Sequence, residues 1–188
     1  MTLETPAPDG SRYAVEGIRS HWILFVMVGG FFIAGGLVAM TVPAFTAIAH
    51  NEVLGMVLLL AGMVEIVQAG RMQRTGLFAF CLGLGMVAVV GGVLVYIEPF
   101  RDTRAKMAIM ALVFALHGLV QIALALKLRQ LKGWTWLAVA GVVALLVAAL
   151  LEMDLPYNRS FTPATVGGVS ILLTGWAYIA VALVARRT

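Results

Sequence analysis

Residues 77–97 read LFAFCLGLGMVAVVGGVLVYI, a run that contains no charged side chain. About 20 such residues, coiled as an α-helix, cross a bilayer hydrocarbon core that is about 30 Å thick. Continuous hydrophobicity without strict alternation favours helices over the strands of a barrel. Runs of this kind predict an all-α integral membrane protein with six transmembrane helices, over residues 22–42, 53–70, 77–97, 107–126, 134–151 and 164–185.

The overall composition favours a membrane environment and argues against a soluble domain. Of the 188 residues, 62% are hydrophobic and 12% are charged, and the mean hydropathy is +1.00. A soluble domain keeps roughly a quarter of its residues charged to cover its surface. The net charge is +4, but the basic residues lie in short clusters between apolar runs, so the sequence predicts no nucleic-acid partner.

The distribution of lysine and arginine predicts the orientation, because cytoplasmic loops carry an excess of both residues. Nine fall on one side of the predicted bundle and four on the other, which places both termini in the cytoplasm. Residues 1–21 are predicted to be a cytoplasmic tail, since they lack the apolar core of a signal peptide. The nine are Arg12, Arg19, Arg71, Arg74, Lys127, Arg129, Lys132, Arg186 and Arg187, and the four are Arg101, Arg104, Lys106 and Arg159.

A threefold repeat with a period of about 56 residues runs through the spans. Each unit is predicted to be a hairpin of two antiparallel helices, so the chain forms three hairpins around a pseudo-threefold axis along the membrane normal. The units cover residues 22–75, 76–133 and 134–188, and they open at Trp22, Phe78 and Trp134. The prolines predicted to end the first helix of each unit are Pro43, Pro99 and Pro156.

Small residues recur at seven-residue intervals along these helices. A seven-residue repeat keeps one stripe of residues, here called the seam, turned toward a neighbouring helix. Glycine on the seam lets the two backbones approach closely, which stabilises packing in lipid, where the hydrophobic effect does not drive association. We therefore predict that these glycines pack helix against helix; the alternative is that glycine is simply common in membrane helices. The predicted packing positions are Gly29, Gly36, Gly55, Gly62, Gly85, Gly92, Gly118, Gly141, Gly168 and Gly175.

The second helix of each unit carries a Gly-x-x-[Glu/Gln/Tyr]-Ile segment, at residues 62–66, 118–122 and 175–179. Together with the glycine-rich first helices, their prolines and the basic ends of the second helices, this pattern resembles the HdeD family of bacterial acid-resistance membrane proteins. The similarity covers residues 22–187 and rests on the repeat spacing. The resemblance implies a bacterial inner-membrane protein linked to survival in acid or another stress, and it supplies no catalytic residues.

Polar side chains inside the predicted spans are candidates for function, because ionisable groups are costly there. Alignment of the repeats places Glu65 level with Gln121 and Tyr178. One turn outward, His117 is level with Thr174. If the second helices surround the pseudo-axis, these residues form two polar layers in the bundle centre. The candidates are Glu65, Gln68, His117, Gln121, Thr174 and Tyr178.

Three interpretations of these layers stay open. In the first, Glu65 and His117 form a proton-responsive pair, since desolvation penalises a charged carboxyl and histidine titrates near neutrality. In the second, Glu65 bonds to Gln121 and Tyr178 and only joins the helices. In the third, Glu65 reaches outward to Arg71 or to a lipid headgroup.

Catalytic motifs are missing from the sequence: it has no phosphate-binding loop, no HExxH segment and no pattern that indicates a Ser-His-Asp catalytic triad. We therefore expect no enzyme, cofactor or metal. Three functions remain: a protective membrane protein, a channel for protons or small solutes along the pseudo-axis, or an accessory subunit of a larger complex. The glycine seams predict a dry centre, which favours the first and third. Besides the lipid bilayer, the partners considered are a second copy of the chain or another membrane protein.

Overall fold

The computed structural model describes residues 16–45, 50–71, 77–97, 103–153 and 163–187. Within these ranges no strand is present, and six long helices are each apolar enough to cross a membrane. The predicted all-α, multi-pass fold is therefore confirmed. The helices are α1 (Trp22–Phe45), α2 (His50–Arg71), α3 (Phe78–Ile97), α4 (Thr103–Lys127), α5 (Trp134–Glu152) and α6 (Pro163–Arg187).

Helix ends follow local chemistry. In α2, Glu52 lies in the first turn and Arg71 in the last, where each charge is favourable with the helix dipole. α6 begins at Pro163, whose missing N–H costs little at the first helical position.

The prediction that Pro43 ends the first helix is wrong, because α1 continues to Phe45. Pro43 lies in the last turn of α1, where its missing N–H removes only one hydrogen bond of the helix. The helix can therefore continue for two more residues. Pro99 and Pro156 lie outside the described residues.

One helical turn precedes α1 inside the predicted tail. Residues 16–20 are helical, and the side chain of Ile18 is completely buried in the hydrophobic core. The turn is joined to α1 by hydrogen bonds, since the His21 amide donates to the Ile18 carbonyl at 3.2 Å and the Leu24 amide donates to the His21 carbonyl at 2.9 Å. The packed part of the chain therefore begins before residue 22.

Contacts between helices follow the chain order and close into a ring. Each helix packs against the next, α6 packs back against α1, and α2 also contacts α6. The most extensive contacts join α1 with α6, α2 with α3, and α4 with α5. The second helix of each predicted hairpin therefore packs most closely against the first helix of the following unit, and the third unit closes onto the first. Partners within a hairpin touch less extensively.

Glycine allows the closest approach at each of these three seams. A Cβ added to Gly29 would lie 2.6 Å from the Gly175 carbonyl oxygen and 2.7 Å from Ile179 Cγ1. Real Cβ atoms do not come so close to either group, so a glycine is required. The same arrangement recurs at Gly85 against Gly62 and Ile66, and at Gly141 against Gly118 and Ile122.

The seams are antiparallel and continue along the helices. Gly36 of α1 meets Gly168 of α6, seven residues from the pair formed by Gly29 and Gly175. Residue numbers rise along α1 as they fall along α6, so the two helices run in opposite directions. The second seam repeats this pattern with Gly55 of α2 against Gly92 of α3. Every glycine predicted as a packing position lies in one of these contacts.

The second helices form the inner part of the bundle. In the second helices, 50–56% of the apolar membrane-spanning segment is buried, compared with 33–39% in the first helices. Apolar side chains fill the centre toward the Gly167 end of α6, where an added Cβ would lie 2.9 Å from Leu54 and 3.0 Å from Phe114. Next to this contact, Leu58, Phe114 and Ile171 occupy equivalent repeat positions and are all buried.

Large apolar side chains cover the outside of the bundle, as a surface in lipid requires. All six helices expose some of them, including Met27, Val67, Met86, Leu112, Leu146 and Trp176.

Closure of the ring predicts that the two ends of the chain can be cross-linked. Arg186 of α6 lies with its guanidinium carbon 4.5 Å from the ring centroid of Trp22 in α1. In a Cys81→Ala background, a short bismaleimide should join Trp22→Cys to Arg186→Cys. A protease site placed between residues 72 and 76 then tests the link, since both fragments stay together on a denaturing gel. Trp22→Cys with Arg129→Cys is the control, and equal cross-linking of both pairs would contradict the ring.

The second seam predicts a steep dependence on side-chain size at Gly62. A Cβ there would lie 2.6 Å from the Val89 amide nitrogen, so Gly62→Ala should lower the unfolding free energy by about 1–3 kcal/mol through overpacking. Gly62→Leu should cost more and separate α2 from α3. Thermal unfolding in detergent measures both.

The matched control for this series is Gly30, where an added Cβ meets nothing within 4 Å. Gly30→Leu should therefore melt close to the parent protein. Equal loss of stability at Gly30 and Gly62 would show that backbone effects, and not seam packing, set the cost.

Candidate functional site

All six polar residues singled out in the sequence are buried, each exposed by no more than 8%. A seventh, Ser170 of α6, is buried with them. The repeat alignment gave no signal for Ser170, because its counterparts Val57 and Val113 are apolar. The available signal was its position one helical turn before Thr174, on the same face of α6.

The local sequence explains why the polar side chains turn inward. In each Gly-x-x-polar-Ile segment, the glycine and the isoleucine are four residues apart and share one face of the helix. That face forms the seam. The polar residue precedes the isoleucine and therefore points about 100° away around the helix axis. With Gly62 and Ile66 on the seam, Glu65 is directed toward the bundle interior, where it is 1% exposed.

Glu65 is held by a tyrosine from the last helix. The Tyr178 hydroxyl donates to Glu65 Oε1 at 2.8 Å, which links α2 to α6. The Tyr178 ring packs between two aromatic rings of α1, with centroid distances of 5.9 Å to Phe25 and 5.7 Å to Phe32. Edge-to-face and tilted contacts of this kind are favourable, so the donor is fixed in position.

Gln121 takes part in a second set of hydrogen bonds. Its Nε2 donates to Thr174 Oγ1 at 3.0 Å, which links α4 to α6. The Thr174 hydroxyl in turn donates to the Ser170 carbonyl oxygen at 2.9 Å within α6. Both sets converge on α6, so this helix joins the polar residues of α2 and α4.

Three buried polar atoms have no hydrogen-bond partner within the described part of the chain: Glu65 Oε2, Gln68 Nε2 and Gln121 Oε1. An unsatisfied buried group costs about 1–3 kcal/mol, so such atoms are uncommon in folded proteins. Each is therefore a place where a water or a ligand could supply the missing bond.

A small cavity of about 10 Å³ lies beside these bonds, lined by His117, Ser170 and Thr174 together with apolar side chains such as Phe32 and Leu58. Its volume suits about one water molecule. His117 therefore faces a space that holds about one water molecule and is otherwise bounded by packed side chains.

The structure separates some of the residues that the sequence placed together. Among the described residues, no hydrogen bond or ion pair joins Glu65 to His117, so the pair considered in the sequence is not formed. Glu65 does not reach Arg71 either, since the carboxyl is buried and Arg71 is exposed. In the same ranges, no group of three or more histidine, cysteine or acidic residues is placed to hold a metal ion.

The family described as a short repeat of unknown function (DUF308) matches the chain twice, over residues 27–97 and 83–152. The match that starts at residue 27 contains the seam between α2 and α3, and the one that starts at residue 83 contains the seam between α4 and α5. Starting positions 56 residues apart agree with the internal repeat, and the two matches together cover more than half of the chain. No curated protein and no solved structure matches it.

The bond between Tyr178 and Glu65 predicts a coupled loss of stability. Tyr178→Phe keeps the aromatic packing and leaves the carboxyl without its donor, so it should lower the unfolding free energy by about 1–3 kcal/mol. Combined with Glu65→Leu, the two losses should be less than additive in a double-mutant cycle measured by thermal unfolding in detergent. Tyr96→Phe is the control, since Tyr96 is exposed. Strict additivity would show that the bond contributes nothing.

Proposed function

The chain belongs to the DUF308 family of short repeats, and on that premise we propose that it is a non-enzymatic membrane protein that protects the cell in acid or a related stress. HdeD proteins belong to this family, which supports the stress context. The proposal places the chain in a bacterial inner membrane with both termini in the cytoplasm, as the lysine and arginine distribution favours.

The observation that carries this proposal is the close packing of the described part of the bundle centre. A conducting path needs a wetted pore or a chain of polar groups that can exchange partners. Here the cavity holds about 10 Å³, and buried apolar side chains such as Leu58, Phe114 and Ile171 lie beside it. The polar groups instead bond across helices, which favours a rigid ring.

A rigid ring suits a protective role that works through contacts. Its outside is covered by exposed apolar side chains, so lipids or other membrane proteins are the surfaces that it meets. Stabilisation of the membrane or of a partner protein needs no ligand pathway and no catalytic group. An accessory subunit of a larger complex is a separate alternative, which would dock through the same outer helices.

A proton or small-solute channel is the second candidate, and a specific observation favours it. Glu65 Oε2 and Gln121 Oε1 both lack a hydrogen-bond partner in the described chain. His117 lines the adjacent cavity. Titratable side chains in a membrane core, such as Glu65 with its unpaired carboxyl oxygen, are typical of proton pathways.

Proton flux separates the two candidates. Purified protein in liposomes, given a step from neutral to acid outside, should show no flux above empty liposomes. Glu65→Gln should behave in the same way, and a protonophore confirms that the assay responds. Flux in the parent protein that is lost in Glu65→Gln and retained in Glu52→Gln, an exposed carboxyl, would establish the channel and reject the proposal.

Cell survival provides the complementary measurement. A bacterium that lacks the chain should survive an acid challenge poorly, and the parent protein and Glu65→Gln should both restore survival. Gly62→Leu should not restore it, because the ring is broken while every polar residue remains. Equal survival with and without the chain would overturn the protective role whatever the flux result.

A further inference from the structure

A surface groove of about 380 Å³ lies between α1 and α2, beside the N-terminal half of α1 and the C-terminal half of α2. Its walls are apolar and include Leu24, Phe31 and Met63. Two further wall residues, Met27 and Val67, are 58% and 60% exposed, so the groove opens on the surface that faces lipid. It extends for about 12 Å along α2 from Met63, at 1.5 Å per residue.

One end of this groove is polar. Gln68 and Arg71 both line it. Gln68 is only 2% exposed, and its Nε2 has no hydrogen-bond partner within the described part of the chain. Arg71 is exposed in the last turn of α2, where the helix leaves the apolar region. The two residues are three apart, so they lie on neighbouring turns of one face.

We propose that the groove between α1 and α2 is a binding site for one anionic phospholipid. An acyl chain lies along the apolar wall, and the phosphate rests on the Arg71 guanidinium. The Gln68 amide donates to an ester or phosphate oxygen and thereby satisfies a buried N–H that the protein leaves unpaired. A guanidinium and a phosphate form strong charge-assisted hydrogen bonds, and a basic pocket between membrane helices is typical of headgroup recognition.

A second groove, between α3 and α4, lies beside the C-terminal half of α3 and the N-terminal half of α4, at the end opposite to that of the proposed site, and provides a contrast. It holds about 290 Å³ and is lined by apolar residues and Gly91, without a charged or amide side chain. At the other end of α3 and α4, which is equivalent to the proposed site, Lys127 replaces Arg71 and lies 5.0 Å from the ring centroid of Phe80, and Leu124 replaces Gln68. An apolar groove of that kind accepts any acyl chain, whereas Gln68 and Arg71 add a preference for a negative headgroup.

Native mass spectrometry of the full chain in detergent tests the site, with equal amounts of phosphatidylglycerol and phosphatidylcholine that carry the same acyl chains. One phosphatidylglycerol should be retained in preference to phosphatidylcholine. Arg71→Gln should weaken its binding about tenfold, the factor expected when one charge-assisted bond of about 1.4 kcal/mol is lost. Gln68→Leu should weaken it to a similar extent.

Two controls keep the test decisive if Gln68→Leu fails to fold. Arg129→Gln removes an exposed arginine from the same predicted face and should leave binding unchanged. Val67→Trp should block the groove and prevent retention, whereas Val90→Trp in the other groove should not; both valines are more than half exposed. Equal retention of the two lipids, or equal losses in Arg71→Gln and Arg129→Gln, would overturn the proposal. Retention of a protein on this face in place of lipid would overturn it as well.

Discussion

The contact between a glycine and the backbone of a neighbouring helix is the interaction on which the rest of this structure depends. Lipid removes the hydrophobic drive that brings helices together in water, so close packing must supply the attraction. At each seam a first-helix glycine meets a carbonyl oxygen and an isoleucine of the helix before it in the ring, with Gly29, Gly175 and Ile179 as one example. The inward direction of Glu65, which precedes the seam residue Ile66, follows from this approach.

Charge repulsion and hydrogen bonding explain why the three repeats are not identical in the centre. Their equivalent positions hold Glu65, Gln121 and Tyr178. Three glutamates on a common axis would repel one another or each lack a donor. A tyrosine instead donates to the glutamate at 2.8 Å, and the glutamine bonds to Thr174 of the adjacent layer. Divergence at this position thus replaces symmetric repulsion with complementary hydrogen bonds, while the seam glycines stay constant.

The sequence predicted the helices and the repeat because both depend on local composition and spacing. Apolar runs identified all six helices, and two family matches that start 56 residues apart support the period. Spacing alone could not say which neighbour a glycine meets, so the closest partner of α1 was not predicted to be α6. Spacing also does not determine side-chain directions within a layer. It therefore allows a pair of Glu65 with His117, which does not form, and it gives no indication of the buried Ser170.

Ring closure also covers the two ends of the repeat array. Each seam is formed by one helix from each of two successive units, so every unit contributes one side of two different seams. An open array would therefore leave an unpaired glycine-lined helix face at each end. Repeat proteins commonly cover such ends with capping segments. Here α6 of the third unit presents Gly168 and Gly175 to Gly36 and Gly29 of the first, and the last half-seam is completed by the first. Closure therefore pairs the two half-seams with each other, and it brings Tyr178 of α6 to Glu65 of α2.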